Sequence, residues 1–185
     1  MCWARCVGTT PLTSTTQMST ALQSVTARSV RFLASGSKRR MGSVWAGAGR
    51  RSSQAQLLAD RLASPASLIT GPCAHDALSA RIIQRGGYDT IFLSGFCVAA
   101  ARGMPDTGLA TFTEMLQTLT ECAAVADPQT AIIVDGDTGY GNEVNCKRAV
   151  QSFARAGAAA VMIEDQVFPK RCAYAGAATA VVPRD

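Results

Sequence analysis

The sequence predicts an α/β fold with a parallel sheet, and three observations predict it. Four short runs are apolar throughout rather than alternating, as expected of strands buried on both faces. Helical patterns separate them, so each strand feeds a crossover helix. Acids, glycines and small polar residues then follow the ends of the later runs: Ser94-Gly95, Asp135 with Asp137, and Glu164. Functional groups sit there in closed (β/α)8 barrels and in open doubly wound sheets alike.

The elements follow in order. Ser67 to Thr70 reads as a short strand that Gly71-Pro72 breaks. Asp76 to Arg85 reads as a helix with Leu78, Ile82 and Ile83 on one inward face and Gly86-Gly87 as its stop. Thr90 to Leu93 is the second strand, and a Gly/Pro loop, Gly103 to Gly108, follows it. Thr111 and Glu114 have capping-box spacing and open a helix that buries Met115, Leu116, Leu119 and Ala123 before Asp127-Pro128. Ala131 to Val134 is the third strand. Val144 to Ala156 is an amphipathic helix with Val150 and Phe153 inward, stopped by Gly157. Ala160 to Ile163 is the fourth strand.

Charge divides the chain. No acid occurs before Asp60, whereas that stretch carries eight basic residues and much Ser, Thr and Ala. From Asp60 onward there are 10 basic and 13 acidic residues, a net charge of −3, so the overall +5 is N-terminal. An Arg-rich, Ser-rich, acid-free leader resembles a mitochondrial transit peptide. Residues 1–54 are therefore expected to be a disordered leader, with the protein bound for the mitochondrial matrix, or else cytoplasmic. Residues 55–185 form the folded part. Its mildly acidic balance argues against nucleic acid as a partner, and no run approaches the roughly 20 apolar residues of a membrane span.

Seven cysteines and one histidine, His75, offer no zinc spacing. Widely spaced cysteines in odd number suggest reduced thiols, and apart from Cys172 those of the folded part are expected to be small apolar side chains. Two acidic clusters remain: Asp135-Gly-Asp-Thr-Gly-Tyr-Gly-Asn142 and Glu164-Asp-Gln166. Carboxylates crowded at two strand ends repel unless a cation or a shared proton relieves them. A hard cation held by oxygens, Mg²⁺ or Mn²⁺, suits them. An EF-hand is excluded, because Gly139, Tyr140 and Cys146 stand at its fifth, sixth and twelfth positions. A dinucleotide loop is excluded too, because Val144 stands where its third glycine belongs.

The chain resembles the isocitrate lyase/phosphoenolpyruvate mutase superfamily, in the branch containing methylisocitrate lyase, dimethylmalate lyase and carboxyvinyl-carboxyphosphonate phosphorylmutase. The matching pieces are Asp76-Ala-Leu-Ser-Ala-Arg81, Leu93-Ser-Gly95, Met104-Pro-Asp-Thr-Gly108, Asp135 to Asn142, Ala156-Gly-Ala158, Ile163-Glu-Asp-Gln166 and Pro169-Lys-Arg-Cys172. They stand in family order. The resemblance implies a TIM-type (β/α)8 barrel, of which about the first four β/α units are present. It implies a Mg²⁺-dependent (or Mn²⁺-dependent) lyase that splits a carbon–carbon bond of a small 2-hydroxy or 2-oxo carboxylic acid, releasing pyruvate or glyoxylate. Asp137 is then the direct metal ligand, with Asp135, Asp106 and Glu164 acting through bound waters. Ser94, with the Gly95 and Phe96 backbone, holds a substrate carboxylate. Cys172, helped by Lys170 and Arg171, protonates the fragment left after cleavage. The family implies a homo-oligomer, commonly a tetramer, when full length.

Two rivals share the motifs. One is a P–C bond phosphonate mutase, against which Cys172 argues. The other is a non-catalytic fragment that docks with a full-length paralogue. The relatives' loop reads Lys-Lys/Arg-Cys-Gly-His, whereas this chain has Ala173-Tyr174 after Cys172. Tyr is neutral near pH 7, so a switchable cation is missing. A closed barrel takes about 250 residues, while 132 run from Gln54 to Asp185. That part alone is expected to expose apolar sheet edges, to seek a partner and to show no lyase activity.

Overall fold

The structure is a computed structural model and describes residues 52–64, 68–172 and 180–183. Residues 1–51 of the expected leader, and Ala173 and Tyr174, lie outside the described residues. Among the described residues nine elements follow one another: α1 (Ser53–Ala63), β1 (Cys73–Ala74), α2 (Ala77–Arg85), β2 (Thr90–Leu93), α3 (Gly95–Ala101), α4 (Phe112–Val125), β3 (Ala131–Asp135), α5 (Glu143–Arg155) and β4 (Ala160–Met162). The sheet order is β1-β2-β3-β4, parallel throughout. The expected parallel α/β arrangement is therefore present.

The two faces of the sheet are covered differently. Ile91, Leu93, Ile132 and Val134 point to one face and pack on the helices through Met115, Leu119, Cys122, Ala149 and Phe153. Residues one step out of phase face the other way. There Ala131 and Ile133 meet Leu58 of α1, with Ala159 and Ala160. Strands wedged between two apolar layers read as continuous apolar runs, which is why their pattern does not alternate.

Hydrogen bonds tie α1 to the starts of the strands. Arg61 donates to the carbonyls of Asp89 at 2.7 Å and Gln129 at 2.5 Å, and Gln54 donates to that of Pro128 at 3.0 Å. This helix was not expected from the sequence. It starts at Ser53 behind the Ser52 cap, so the expected boundary at 55 falls inside its first turn.

Four other expectations need correction. The first strand is Cys73–Ala74, and residues 68–70 of the expected Ser67–Thr70 strand are not in a strand. Phe92 donates to the Pro72 carbonyl and Ser94 to that of Ala74, so the ladder begins at the proline. Proline is tolerated there because only its carbonyl is needed. Helix α3 follows β2 directly, capped by Ser94, where no helix was expected; its run Gly95-Phe-Cys-Val-Ala-Ala-Ala101 is too short and too uniformly small to show a period. In α2, Leu78 and Ile82 are exposed, and the buried contact runs through Ala80 and the half-buried Ile83. In α5, Ala149 and Phe153 are buried and Val150 is 38% exposed, so the inward stripe lies one residue earlier. No helix among the described residues is long and apolar enough to cross a membrane.

Candidate active site

The third strand delivers the first two carboxylates. Asp135 ends β3 and Asp137 lies two residues on, both nearly fully buried. Between them Gly136 lies under β4: a Cβ there would come within 2.6 Å of Ile163 Cδ1 and 2.9 Å of the Met162 carbonyl. The chain then turns through left-handed backbone at Asp137 (φ 46°), Gly139 (φ 92°) and Tyr140 (φ 62°). Aspartate tolerates this region, but for a bulky residue it is an outlier that surrounding contacts must hold. Tyr140 has those contacts. Its ring packs against Phe112 (centroids 5.8 Å apart) and Phe153 (6.2 Å), and its hydroxyl donates to the Asp135 carbonyl at 3.3 Å. Asn142 closes the loop by capping α5.

Asp135 is an organiser. Its Oδ1 accepts from the Asp137 N–H and its Oδ2 from the Gly95 N–H, both at 3.0 Å. One carboxylate thus ties the turn after β2 to the turn after β3. The Gly95 N–H, expected to face a substrate carboxylate, is engaged by Asp135. The nearly buried Ser94 hydroxyl accepts from Cys97 N at 3.4 Å, and Phe96 is 40% exposed at the start of α3.

Asp106, Asp137 and Glu164 converge on one point, the Lys170 ammonium. Its Nζ lies 2.9 Å from Asp106 Oδ1, bonds Asp137 Oδ1 and lies 4.0 Å from Glu164 Oε2. Burial pushes the carboxyls of Asp137 and Glu164 up, against the pull of Lys170. Burial also works against the charge on Lys170, but Asp137 and Asp106 prevail and hold its pKa above the usual lysine value. The arrangement is a pocket of oxygens around one positive charge. Among the described residues no three His, Cys, Asp or Glu groups form a ready-made cage for a metal. A hard oxygen set with wide spacing nonetheless suits Mg²⁺, which keeps several of its waters and takes one or two carboxylates directly.

Gln166, which lies in a motif legible from sequence but was given no role there, joins this cluster. Its amide donates to Glu164 Oε2 at 2.9 Å, while its carbonyl oxygen accepts from the Arg171 N–H at 3.3 Å. The segment beyond it is held by a short antiparallel pairing: Val167 N–H donates to the Ala180 carbonyl and Val182 N–H to that of Asp165. Lys170 is thereby laid over the carboxylates, with Cys172 buried two residues on. Arg171 is exposed, and His75 is half-exposed beside Asp76.

The phosphoenolpyruvate phosphomutase family model matches residues 58–182. The chain is 40% identical to 2,3-dimethylmalate lyase of Eubacterium barkeri over 61% of its own length and 39% of the relative's. It is 35% identical to a 2-methylisocitrate lyase of Aeropyrum pernix, over 64% and 38%. Among solved structures, phosphonopyruvate hydrolase in complex with oxalate and Mg²⁺ superposes with a TM-score of 0.60 at 33% identity, over 64% of this chain and 41% of that one. The chain thus spans about two fifths of the length of these relatives.

Proposed function

Because the chain belongs to the phosphoenolpyruvate phosphomutase family, we propose that it carries the metal-binding half of a Mg²⁺-dependent carbon–carbon lyase acting on a small 2-hydroxy or 2-oxo carboxylic acid. The observation that carries this reading is the convergence of Asp106, Asp137 and Glu164 on a single cation position, the Lys170 ammonium, two residues before the buried Cys172. Relatives of this family are (β/α)8 barrels, and the all-parallel order β1 to β4 is that of four consecutive barrel units.

Asp137 would hold the metal directly, with Asp135, Asp106 and Glu164 acting through its waters. The ion would supply positive charge for the oxygens of the substrate carboxylate and of the fragment that departs. The chain's own groups do the rest. Asp135 holds the Ser94 turn at the mouth of β2 and β3, where the Ser94 hydroxyl and the Phe96 backbone face a substrate carboxylate. When the hydroxyl oxygen of the substrate gives up its proton and forms a carbonyl, the carbon–carbon bond breaks and its electron pair passes to the carbon beside the carboxylate. Cys172 Sγ gives that carbon a proton, a role open to a thiol because its pKa is tunable by surroundings. Lys170 and Arg171 bring compensating positive charge to the same loop.

The phosphonate reading and the lyase reading predict different products. Alone, the 185-residue chain is expected to bind Mg²⁺ in calorimetry and to release no 2-oxo acid. Supplemented with the remaining barrel portion of the dimethylmalate lyase, it is expected to cleave 2,3-dimethylmalate or 2-methylisocitrate and to leave phosphonopyruvate untouched. Turnover of phosphonopyruvate with none of the hydroxy acids would overturn the lyase assignment.

A further inference from the structure

Two separate attachments hold the segment that carries Cys172. The first is the Lys170 ammonium, bonded to Asp137 and 2.9 Å from Asp106 Oδ1. The second is the Gln166 side chain. Its amide donates to Glu164 Oε2 at 2.9 Å, and its carbonyl oxygen accepts from the Arg171 N–H at 3.3 Å. That N–H belongs to the peptide joining Lys170 to Arg171, one residue before Cys172. The chemistry of position 166 is narrow. A carboxylate needs a donor and a backbone N–H needs an acceptor, and a primary amide offers both at the end of one neutral side chain. The partners also fix which way round the amide lies, since the reverse would set its oxygen against Glu164. Its backbone is anchored without help from Lys170: Gln166 pairs with Val181, with Val167 N–H donating to the Ala180 carbonyl and Val182 N–H to that of Asp165. Glu164 in turn is tied to the loop after β3, its N–H donating to the Asp137 carbonyl at 2.8 Å. A connected path therefore runs from Asp137 through Glu164 and Gln166 to the backbone next to Cys172.

We propose that Gln166 is a positioning residue: it keeps the Arg171–Cys172 segment over the carboxylates when a cation takes the place of the Lys170 ammonium. What the seated thiol is for rests on the lyase reading above; the clasp itself does not. Lys170 reaches the acids by its charge, so a Mg²⁺ bound as proposed would displace it. Gln166 is neutral and takes one of the roughly four lone-pair sites of the Glu164 carboxylate. A water of the ion can use another, so the amide stays bound through the exchange. Lys170 and Gln166 are thus redundant holders of one segment in the metal-free protein, and Gln166 becomes the holder that remains once the ammonium has left.

The rate of alkylation at Cys172 tests this on the 185-residue chain, first without metal. Cys172 is 6% exposed, so iodoacetamide should label it slowly while its segment is seated, and peptide mapping by mass spectrometry follows that one thiol. Lys170→Met removes the first attachment and Gln166→Met the second. Each single variant should label within about threefold of wild type, and the double variant about tenfold or more faster, a non-additive effect expected of two groups that hold the same segment. Cys122, fully buried under the sheet, reports folding and should stay slow in all four proteins. A Gln166→Met effect that is the same with and without Lys170 would show a packing role only and overturn the proposal. So would a double variant no faster than Lys170→Met. If the double variant unfolds and Cys122 labels too, Mg²⁺ added to Gln166→Met replaces it: Cys172 should then label about tenfold faster, against a change within about threefold in wild type. Equal rates in those two proteins, both shown by calorimetry to bind Mg²⁺, would also overturn it. A metal-free result as expected, with no Mg²⁺ bound to wild type, would leave Gln166 in its role and sink the metal-dependent reading instead.

Discussion

Lys170 is the residue on which the site turns. It places its ammonium among the oxygens of Asp106, Asp137 and Glu164, so a divalent cation bound as proposed would compete with this side chain for one position. Replacing Lys170 by Met keeps the apolar stem and removes the charge. Mg²⁺ should then bind about tenfold more tightly, a change of about 1.4 kcal/mol, in titration calorimetry; unchanged or weaker binding would show that the ammonium and the metal occupy separate places. The motif Pro169-Lys-Arg-Cys172 could be read in the sequence, but where Lys170 lands could not. It lies 33 residues from Asp137 and 64 from Asp106, and the fold brings the three together. The role of Gln166 was hidden for a similar reason. A lone amide has no spacing signal, and its task is to hold two groups that tertiary structure makes neighbours.

Caps, more than hydrophobic stripes, fix where the helices begin. The Thr111/Glu114 capping box was legible from spacing alone and opens α4. Asp76 performs the same service for α2, accepting from Ser79 N at 2.7 Å. Hydrogen bonds from Ser79 hold the Asp76 carboxyl below its ordinary value of 3.8. The carboxyl is exposed and solvent screens it, so the stake is modest. Asp76→Ala should lower stability by about 1 kcal/mol in urea unfolding at pH 7. The sign follows from linkage: the contribution is present above the ordinary aspartate value and fades as pH falls through the lowered one, so wild type and variant should converge in acid. A gap that widened in acid would contradict this. The seat of α1 is a packing matter instead. Leu58 is 3% exposed against Ala131 and Ala159, so Leu58→Ala should cost about 2–5 kcal/mol and speed amide exchange over residues 53–63.

The whole molecule gathers its acids from three separate stretches of chain: Asp106 after α3, Asp135 and Asp137 after β3, and Glu164 after β4. A cation that binds only this folded arrangement stabilises it by mass action, about 2.7 kcal/mol at 100 times Kd. Mg²⁺ should therefore raise the thermal midpoint of the chain, and Asp137→Asn should remove most of that rise; an equal rise in both proteins would place the ion elsewhere. The parallel α/β class, three of the four strands, the acidic clusters at their ends and the loop that carries Lys170 and Cys172 are all legible in the sequence alone. Those signals are local: an apolar run, a cap and a motif each lie within a few consecutive residues. Long-range packing settled that α1 covers the sheet's second face, that Asp135 spends its oxygens on Gly95 and Asp137, and that Lys170 fills the carboxylate pocket. Each of those is a contact between distant positions, and its energy exists only after the parallel strands have brought their ends together.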